Sequence, residues 1–354
     1  MSKGNITTVN GKISPDNLGV TLPHEHLVIG GNNTAQLYRK RYPPPTDPKI
    51  RSMLDEPVKL ENLWLIRKEG FTYLDNLIIE DVDMISNDLL DYKKYGGTSV
   101  VDITPPSLGS DPTKVKQISD KTGLNIIYGL GFYIEAFHPE YVSKKTVKEL
   151  TQEFLDIIKN GYNNTGIKPG IIGEIGTSSP KTTPQEEKVL EAVANTHIET
   201  GYPINIHLSN ILGRCGVEVA NFLKNKGVSM DKLVLSHMDM QLDDREYHDA
   251  VLETGTWFEY DTWGMEGYIN TPEYVFPRDS QRIDNLVRLI DKGYIDRLLI
   301  STDVARKTAY KKYGGEGFDY ILRNIVPKME KVGITKKEIN TIMVTNTRKM
   351  LSVI

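Results

Sequence analysis

PGIIGEIGTSSPKTTPQEEKVLEAVANTHIETGYPINIHLSN, residues 169–210, holds two short apolar runs on either side of one long amphipathic run. The apolar runs at 170–176 and 202–207 are typical of strands that a parallel sheet buries on both faces. The run between them has helix start signals at Thr183 and Glu186, which form a capping box, and a stop signal at Gly201. The stretch therefore predicts one strand–helix–strand unit.

The same alternation of short apolar and longer amphipathic runs continues along the whole chain. Candidate strands lie at 19–26, 98–104, 125–132, 170–176, 202–207, 232–237, 257–260 and 297–303. Eight strands that alternate with helices predict an α/β fold, a (β/α)8 TIM barrel, and leave an open doubly wound sheet as the alternative. We expect a single domain over residues 1–354, with a last helix in the segment 334–351.

The stretch at about 30–70 interrupts this alternation, because asparagines and prolines follow one another closely there. Such residues favour turns and irregular backbone. We interpret the stretch as a long insertion after strand one, which could be a lid or a subunit contact.

Composition narrows the class of partner. The chain of 354 residues has 43 basic and 47 acidic side chains and a net charge of −4, so we expect a small-molecule partner and neither nucleic acid nor a membrane. We find no apolar signal region at the N-terminus and no run of about 20 apolar residues, and the cytoplasm is the expected location. The one cysteine, Cys215, is predicted to be a buried structural thiol.

Five of the eight predicted strands end in side chains that can bind a metal. These residues are His24, His26, Glu174, His207, His237 and Asp303. All strands of an α/β barrel open at their carboxyl ends onto the same face, so the six side chains should converge on one site.

His24 and His26 are two residues apart on a strand, so both imidazoles point to the same side and Glu25 points away. Four histidines and two carboxylates exceed the needs of one tetrahedral ion and predict two divalent ions. Zinc is the expected metal, with manganese, cobalt and iron as alternatives. Glu174, from the strand between the two histidine groups, is the expected bridging ligand.

The segments GKISPDNLGVTLPHEHL, GIIGEIGTS, INIHLSN, LVLSHMD and LLISTD resemble, in order, the phosphotriesterase-like family of the amidohydrolase superfamily, most closely the phosphotriesterase homology proteins. The resemblance implies an amidohydrolase-like barrel, a binuclear centre that is usually zinc, and a homodimer. It implies that His24, His26 and Asp303 hold the more buried ion and that His207 and His237 hold the more exposed one.

The chain departs from the family at two points. Phosphotriesterases and lactonases bridge their metals with a carboxylated lysine from strand four, whereas GIIGEIG contains Glu174 and no lysine. The lactonases also carry an arginine after strand seven, where this chain has Thr262. Substrate contacts therefore cannot be copied from those relatives.

A hydroxide that bridges two metals would attack a carbonyl or phosphoryl group, with Asp303 as the catalytic base and then acid. Tyr133 lies in a segment that resembles the family's tyrosine near the metals. Arg278, Arg306 and Lys307 lie after strands seven and eight, where barrels often bind phosphate. The expected activity is that of a lactonase on a phosphorylated sugar lactone. The alternatives are a carboxylesterase, a phosphoric ester hydrolase and a non-catalytic metal-binding barrel.

Overall fold

The computed structural model describes residues 4–211, 213–270 and 273–353. Its central sheet has eight parallel strands that pair in chain order, and helices pack around it, so the predicted (β/α)8 barrel is confirmed. The strands are β1 Thr21–Glu25, β2 Ser99–Asp102, β3 Asn125–Leu130, β4 Ile171–Thr177, β5 Ile204–Leu208, β6 Leu233–Leu235, β7 Trp257–Tyr260 and β8 Leu298–Ile300.

The longer helices mostly follow the strands as the sequence alternation predicts. They are α1 Gly31–Arg41, α2 Val82–Lys94, α3 Pro112–Thr122, α4 Val147–Asn160, α5 Pro184–Thr200, α6 Gly216–Asn225, α7 Arg245–Glu253 and α8 Asp279–Asp291. Short helical segments are Pro48–Met53, Leu63–Ile66, Glu140–Lys144, Ile321–Ile325, Val326–Lys331, Lys336–Asn340, Thr341–Asn346 and Thr347–Leu351. Two antiparallel hairpins pair Ile6–Thr8 with Gly11–Ile13 and Gly267–Ile269 with Tyr274–Phe276. None of the helices in these described residues is long and apolar enough to cross a membrane.

The opening strand–helix–strand unit forms as predicted. The side chain of Thr183 accepts a hydrogen bond from the backbone N–H of Glu186, and the Glu186 side chain accepts one from the backbone N–H of Thr183. Gly201 ends α5 with φ at 68°, a left-handed conformation that glycine adopts without strain. The helix therefore begins and ends where its capping residues dictate.

Neighbouring residues of several strands pack in different apolar clusters. Val100 of β2 and Ile126 of β3 belong to the large cluster between the sheet and the helices, whereas Val101 and Ile127 belong to a smaller one. The smaller cluster also contains Ile6 from the N-terminal hairpin. Since side chains alternate across a strand, the small cluster fills the barrel interior and the sheet is buried on both faces.

The barrel closes between β1 and β8 mainly through side chains. The backbone N–H of His24 donates to Oγ of Ser301 at 3.0 Å. The buried Glu25 carboxylate accepts hydrogen bonds from the hydroxyl of Ser301, from both the N–H and the hydroxyl of Thr302, and from the N–H of Val304. We call this set of contacts the β1–β8 seam.

The segment between β1 and α2 folds into α1 and short helices that have a small core of their own. This core consists of Leu54, Val58, Leu63, Leu65, Ile66 and Tyr73. Tyr38 of α1 packs on Phe137 with ring centres 4.7 Å apart and stacks on Phe71 at 6.2 Å. These rings connect the segment to the loop after β3.

Candidate metal centre

Glu174 lies among the four histidines that the sequence predicts as ligands. Its Oε1 is 2.7 Å from Nδ1 of His207 and 3.5 Å from Nε2 of His237. The same oxygen is 3.6 Å from Nε2 of His24, and Oε2 is 3.9 Å from Nε2 of His26. The carboxylate from β4 therefore lies between the histidine pair at the end of β1 and the pair from β5 and β6.

Asp303 completes the cluster beside the first histidine pair. Its Oδ1 is 3.3 Å from Nε2 of His26 and 4.0 Å from Nε2 of His24. Oδ1 of Asp303 and Nε2 of His24 are buried and have no hydrogen-bond partner in the described part of the chain. Because buried polar atoms almost always have a partner, these two atoms fit a cation that binds both.

The donor set also fits a divalent metal. The ligand atoms of His24, His26 and Asp303 all lie within 4.8 Å of one another, and so do those of His24, Glu174 and His237. Imidazole nitrogens together with carboxylate oxygens are preferred by zinc and accepted by manganese, cobalt and iron.

Local backbone irregularities aim the ligands into the cluster. The strand ladders lose their regular register next to His24 in β1 and next to Glu174 in β4, a feature that redirects side chains beside active sites. His237 and Asp303 have left-handed backbones with φ of 60° and 47°. Such conformations cost about 1–3 kcal/mol in residues other than glycine. Asp261 offsets part of that cost, because its Oδ2 accepts a hydrogen bond from the backbone N–H of His237 at 2.8 Å.

Two buried carboxylates from β7 and its end orient the histidine rings. Oε2 of Glu259 is 2.9 Å from Nδ1 of His24, and Oδ1 of Asp261 is 2.8 Å from Nδ1 of His237. A carboxylate bonded to one ring nitrogen fixes the imidazole so that the other nitrogen faces the metal. Neither carboxylate is among the residues predicted from the sequence, although an acidic residue inside the apolar run WFEY is a usable signal.

The charges of the cluster shift the pKa of its members strongly. Burial raises the pKa of Glu174, but the His207 ring outweighs it and holds the pKa well below the ordinary value. Burial lowers the pKa of His24, but the carboxylates of Asp261 and Glu259 outweigh it and raise the pKa to about 10. Protons and cations therefore compete for the His24 ring, and metal binding would release protons.

A cavity of about 90 Å³ lies over the cluster. The predicted Tyr133 lines it, with its hydroxyl 3.2 Å from Nε2 of His207. Tyr38, Tyr42 and Phe71 contribute aromatic wall, so the segment after β1 covers the metal cluster. The sequence predicts an insertion that could be a lid or a subunit contact here, but it does not predict these rings.

The three predicted basic residues have different surroundings. Arg306 lines the cavity above the metal cluster. Lys307 forms an ion pair with Asp75, and Arg278 is exposed in a surface groove before α8. Neither of the latter two lines the cavity above the metal cluster, so their predicted substrate contacts find no support in the geometry.

The histidines that the sequence analysis left out of the cluster have other contacts. Nε2 of His138 is 2.6 Å from the backbone oxygen of Tyr133, so His138 supports the loop that carries this tyrosine. Nδ1 of His197 is 2.6 Å from the backbone oxygen of Tyr202. His248 is fully buried beside Phe258.

Thr262, just after the end of β7, lies in a buried hydrogen-bond network. Its hydroxyl donates to Asp239 at 2.7 Å, and the fully buried Arg282 of α8 donates to both Thr262 and Asp239. Arg282 therefore stabilises the loop after β7 and does not line the metal cavity.

Comparison with known proteins gives the following similarities. The sequence profile of the Phosphotriesterase family matches residues 4–351. N-acetyltaurine hydrolase of Danio rerio is 35% identical over 99% of this chain and 98% of its own length.

Three solved structures have the same architecture. A resiniferatoxin-binding protein from Rhodobacter sphaeroides is 30% identical, with a TM-score of 0.93 over 99% of this chain and 95% of its own. A phosphotriesterase homology protein from Escherichia coli is 28% identical, with a TM-score of 0.79 over 95% of this chain and 100% of its own. A lactonase from Listeria monocytogenes is 27% identical, with a TM-score of 0.79 over 98% of this chain and 99% of its own.

Proposed function

Because the chain belongs to the phosphotriesterase family, we propose that it is a binuclear metal-dependent hydrolase that cleaves N-acetylated amines bearing an acid group. The similarity to N-acetyltaurine hydrolase over almost the whole chain supports this substrate class. The observation that carries the proposal is the cluster at the strand ends, where Nε2 of His24 and Oδ1 of Asp303 are buried and have no hydrogen-bond partner among the described residues.

In this proposal His24, His26 and Asp303 would hold one divalent cation, zinc being the first choice. His207 and His237 would hold the second, and Glu174 would be a ligand available to both. When bound, the cations would polarise the scissile carbonyl and lower the pKa of a water molecule towards neutrality.

The chain's own residues have separate tasks. Burial raises the pKa of Asp303, but His26 outweighs it and the carboxylate stays ionised, so this carboxylate is able to accept the proton of the attacking water. Asp303 then gives this proton to the nitrogen of the leaving amine, as a general base and then acid. The hydroxyl of Tyr133 holds the His207 ring, and Tyr38 and Phe71 exclude bulk water from the reacting centre.

The size of the cavity agrees with a small acyl group. Its volume of about 90 Å³ has room for an acetyl group beside the metal ligands. Larger acyl groups would contact Tyr38 and Tyr133, so we expect acetyl and formyl derivatives to be better substrates than long acyl chains.

The test is metal analysis of the purified protein together with acetate release from N-acetyltaurine. We expect close to two metal ions per chain, loss of activity on chelation and its return on addition of zinc. Asp303→Asn should lower kcat by roughly 100-fold or more, the usual range for loss of a general base. Asp83→Asn is the matched control, because that carboxylate is 78% exposed and far from the cluster in sequence.

A folded, zinc-loaded protein that does not hydrolyse N-acetyltaurine would contradict the proposal. A folded protein that binds fewer than two metal ions per chain and does not hydrolyse N-acetyltaurine would support a metal-binding barrel without catalysis.

The lactonase of similar fold favours a second candidate, hydrolysis of a phosphorylated sugar lactone. Arg306 is the basic residue that supports it, because it lines the cavity beside the cluster. Turnover of phosphorylated and unphosphorylated aldonolactones separates the two candidates: faster turnover of the phosphorylated lactone than of N-acetyltaurine favours the lactonase.

A further inference from the structure

A second cavity of about 640 Å³ adjoins the one above the metal cluster. Met265, Phe276 and Arg306 line both, so these three side chains form the boundary between a small inner cavity and a large outer cavity. The outer cavity lies between the 63–70 stretch and the loops after β7 and β8. It is much larger than an acetyl group or a bound water cluster requires.

Arg306 at this boundary is a partly buried cation without an anionic partner. In the described residues no carboxylate lies within ion-pair distance of its guanidinium, and its one hydrogen bond goes to Sδ of Met265 at 3.1 Å. A thioether is a weak acceptor. The guanidinium lies over the Phe71 ring, with Cζ 5.1 Å from the ring centre. Its Nη1 also packs against Gly70: a Cβ atom built on that glycine would be 3.4 Å from Nη1.

A partly buried guanidinium without an anionic partner lowers the stability of the folded protein. Burial lowers the pKa of Arg306, and the nearby carboxylate of Asp303 raises it in part. By contrast, the next residue, Lys307, is neutralised by Asp75. Because buried charges in native proteins are paired, a ligand that brings an anionic group to Arg306 would complete the site.

The acidic side chains of the outer wall do not neutralise Arg306. The two acidic residues of this wall are already engaged: Glu266 accepts from the backbone N–H of Asp279, and Glu316 pairs with Arg323. Arg306 is therefore the boundary cation that an anionic group of the ligand would neutralise.

The rest of the outer wall is rich in apolar and aromatic surface. It includes Leu63, Trp64, Ile66, Tyr268, Phe276 and Tyr313. Apolar surface of this kind favours a ligand with an apolar body.

We propose that the outer cavity is the leaving-group subsite, which takes an amine that carries both an acid group and an apolar body. The inference rests on the proposed function and deepens it. The acetyl group lies in the inner cavity, the acid group binds Arg306, and the apolar body occupies the outer cavity. Hydrolysis breaks the C–N bond, forms a C–O bond from water and transfers the proton of that water to the leaving nitrogen.

The test compares N-acetyl-L-phenylalanine, N-acetyl-L-phenylalaninamide and N-acetylglycine as substrates. Arg306→Gln should raise KM for N-acetyl-L-phenylalanine by roughly 10- to 100-fold, the range for a lost charge-assisted hydrogen bond, with a smaller change in kcat. KM for the uncharged amide should change less than threefold. In the wild type, N-acetyl-L-phenylalanine should have a kcat/KM about tenfold or more above that of N-acetylglycine, because its benzyl group is buried.

Arg278→Gln is the matched control, since Arg278 is an exposed cation outside both cavities. Arg306→Lys should restore part of the affinity that Arg306→Gln loses. Thermal melting of each variant separates a folding defect from a binding defect.

Calorimetric titration with N-acetyl-L-phenylalanine distinguishes failure of this inference from failure of the proposed function. If the wild type binds this acid but turns over no amide, and Arg306→Gln loses the binding, the subsite stands and the catalytic proposal fails. If a folded Arg306→Gln binds the acid as tightly as the wild type, or if the acid and the amide have equal KM in the wild type, the subsite proposal is overturned.

Discussion

Replacement of Glu259 by glutamine tests how far the metal centre depends on the residues behind it. Oε2 of Glu259 accepts three hydrogen bonds, from Nδ1 of His24 at 2.9 Å, Oγ of Ser236 at 2.8 Å and Nδ2 of Asn205 at 3.0 Å. A glutamine with its oxygen at the same point keeps all three contacts. What it removes is the negative charge opposite the His24 ring.

The size of the effect follows from these contacts. A hydrogen bond to a charged acceptor contributes about 1.5–3 kcal/mol, against about 1 kcal/mol for a neutral one. The difference of about 0.5–2 kcal/mol corresponds to roughly a 2- to 30-fold rise in the Kd for zinc. Losses of this order are typical when a residue that orients a metal-binding histidine is changed.

The assay is competition for zinc between the protein and a fluorescent chelator at pH 7.5, with wild type and Glu259→Gln side by side. Glu253→Gln, an exposed change at the end of α7, should leave the Kd unchanged. Circular dichroism and thermal melting of the metal-free variant establish that it is folded. A folded Glu259→Gln with a Kd within twofold of the wild type would refute the argument that this carboxylate orients His24 for metal binding.

Three further outcomes are expected. Burial lowers the pKa of His248 from 6.5 to about 4, so the folded protein loses stability as the pH falls from 6.5 towards 4. The unfolding free energy of the wild type should fall by about 2 kcal/mol between pH 7 and 5, as measured by urea unfolding. His248→Gln should not show this loss. Tyr133→Phe removes the hydroxyl that bonds His207 and should lower kcat roughly fivefold while it changes unfolding free energy by less than about 1 kcal/mol. Removal of metal by a chelator should lower Tm, as measured by differential scanning calorimetry. Zinc at about 100 times its Kd should restore about 2.7 kcal/mol of unfolding free energy. An unchanged Tm would contradict a metal site in the folded state.

The fold could be predicted because its signals are local. The predicted strand at 202–207 corresponds to Ile204–Leu208, and α5 begins and ends at the residues that its caps indicate. A capping box and an apolar run each depend on a few adjacent residues, and the alternation of eight strands with helices leaves few other architectures. The convergence of the six metal-capable residues followed from the strand ends alone.

The remaining features depend on which distant side chains meet. Arg306 and Lys307 are neighbours in sequence, but Asp75, which neutralises only Lys307, is 232 residues away. Tyr38 and Phe71 reach the cavity only because the segment after β1 folds over it. Glu259 and Asp261 could have been predicted to have polar partners, since acidic side chains in a buried strand need them. Their histidine partners could not be identified from the sequence, because that requires the order of the strands in the sheet.

The β1–β8 seam also sets a time at which the centre can be completed during synthesis. The Glu25–Thr302 contact spans 277 residues, and Asp303 follows directly. At about 5–20 residues per second, a ribosome needs roughly 15–60 s between making the first histidines and the last carboxylate. Throughout that interval the nascent chain exposes His24 and His26 without their partners from β8. Metal can therefore join all six ligands only after nearly the whole described chain has left the ribosome, and a chaperone or a low level of free zinc would protect the unfinished barrel from premature binding.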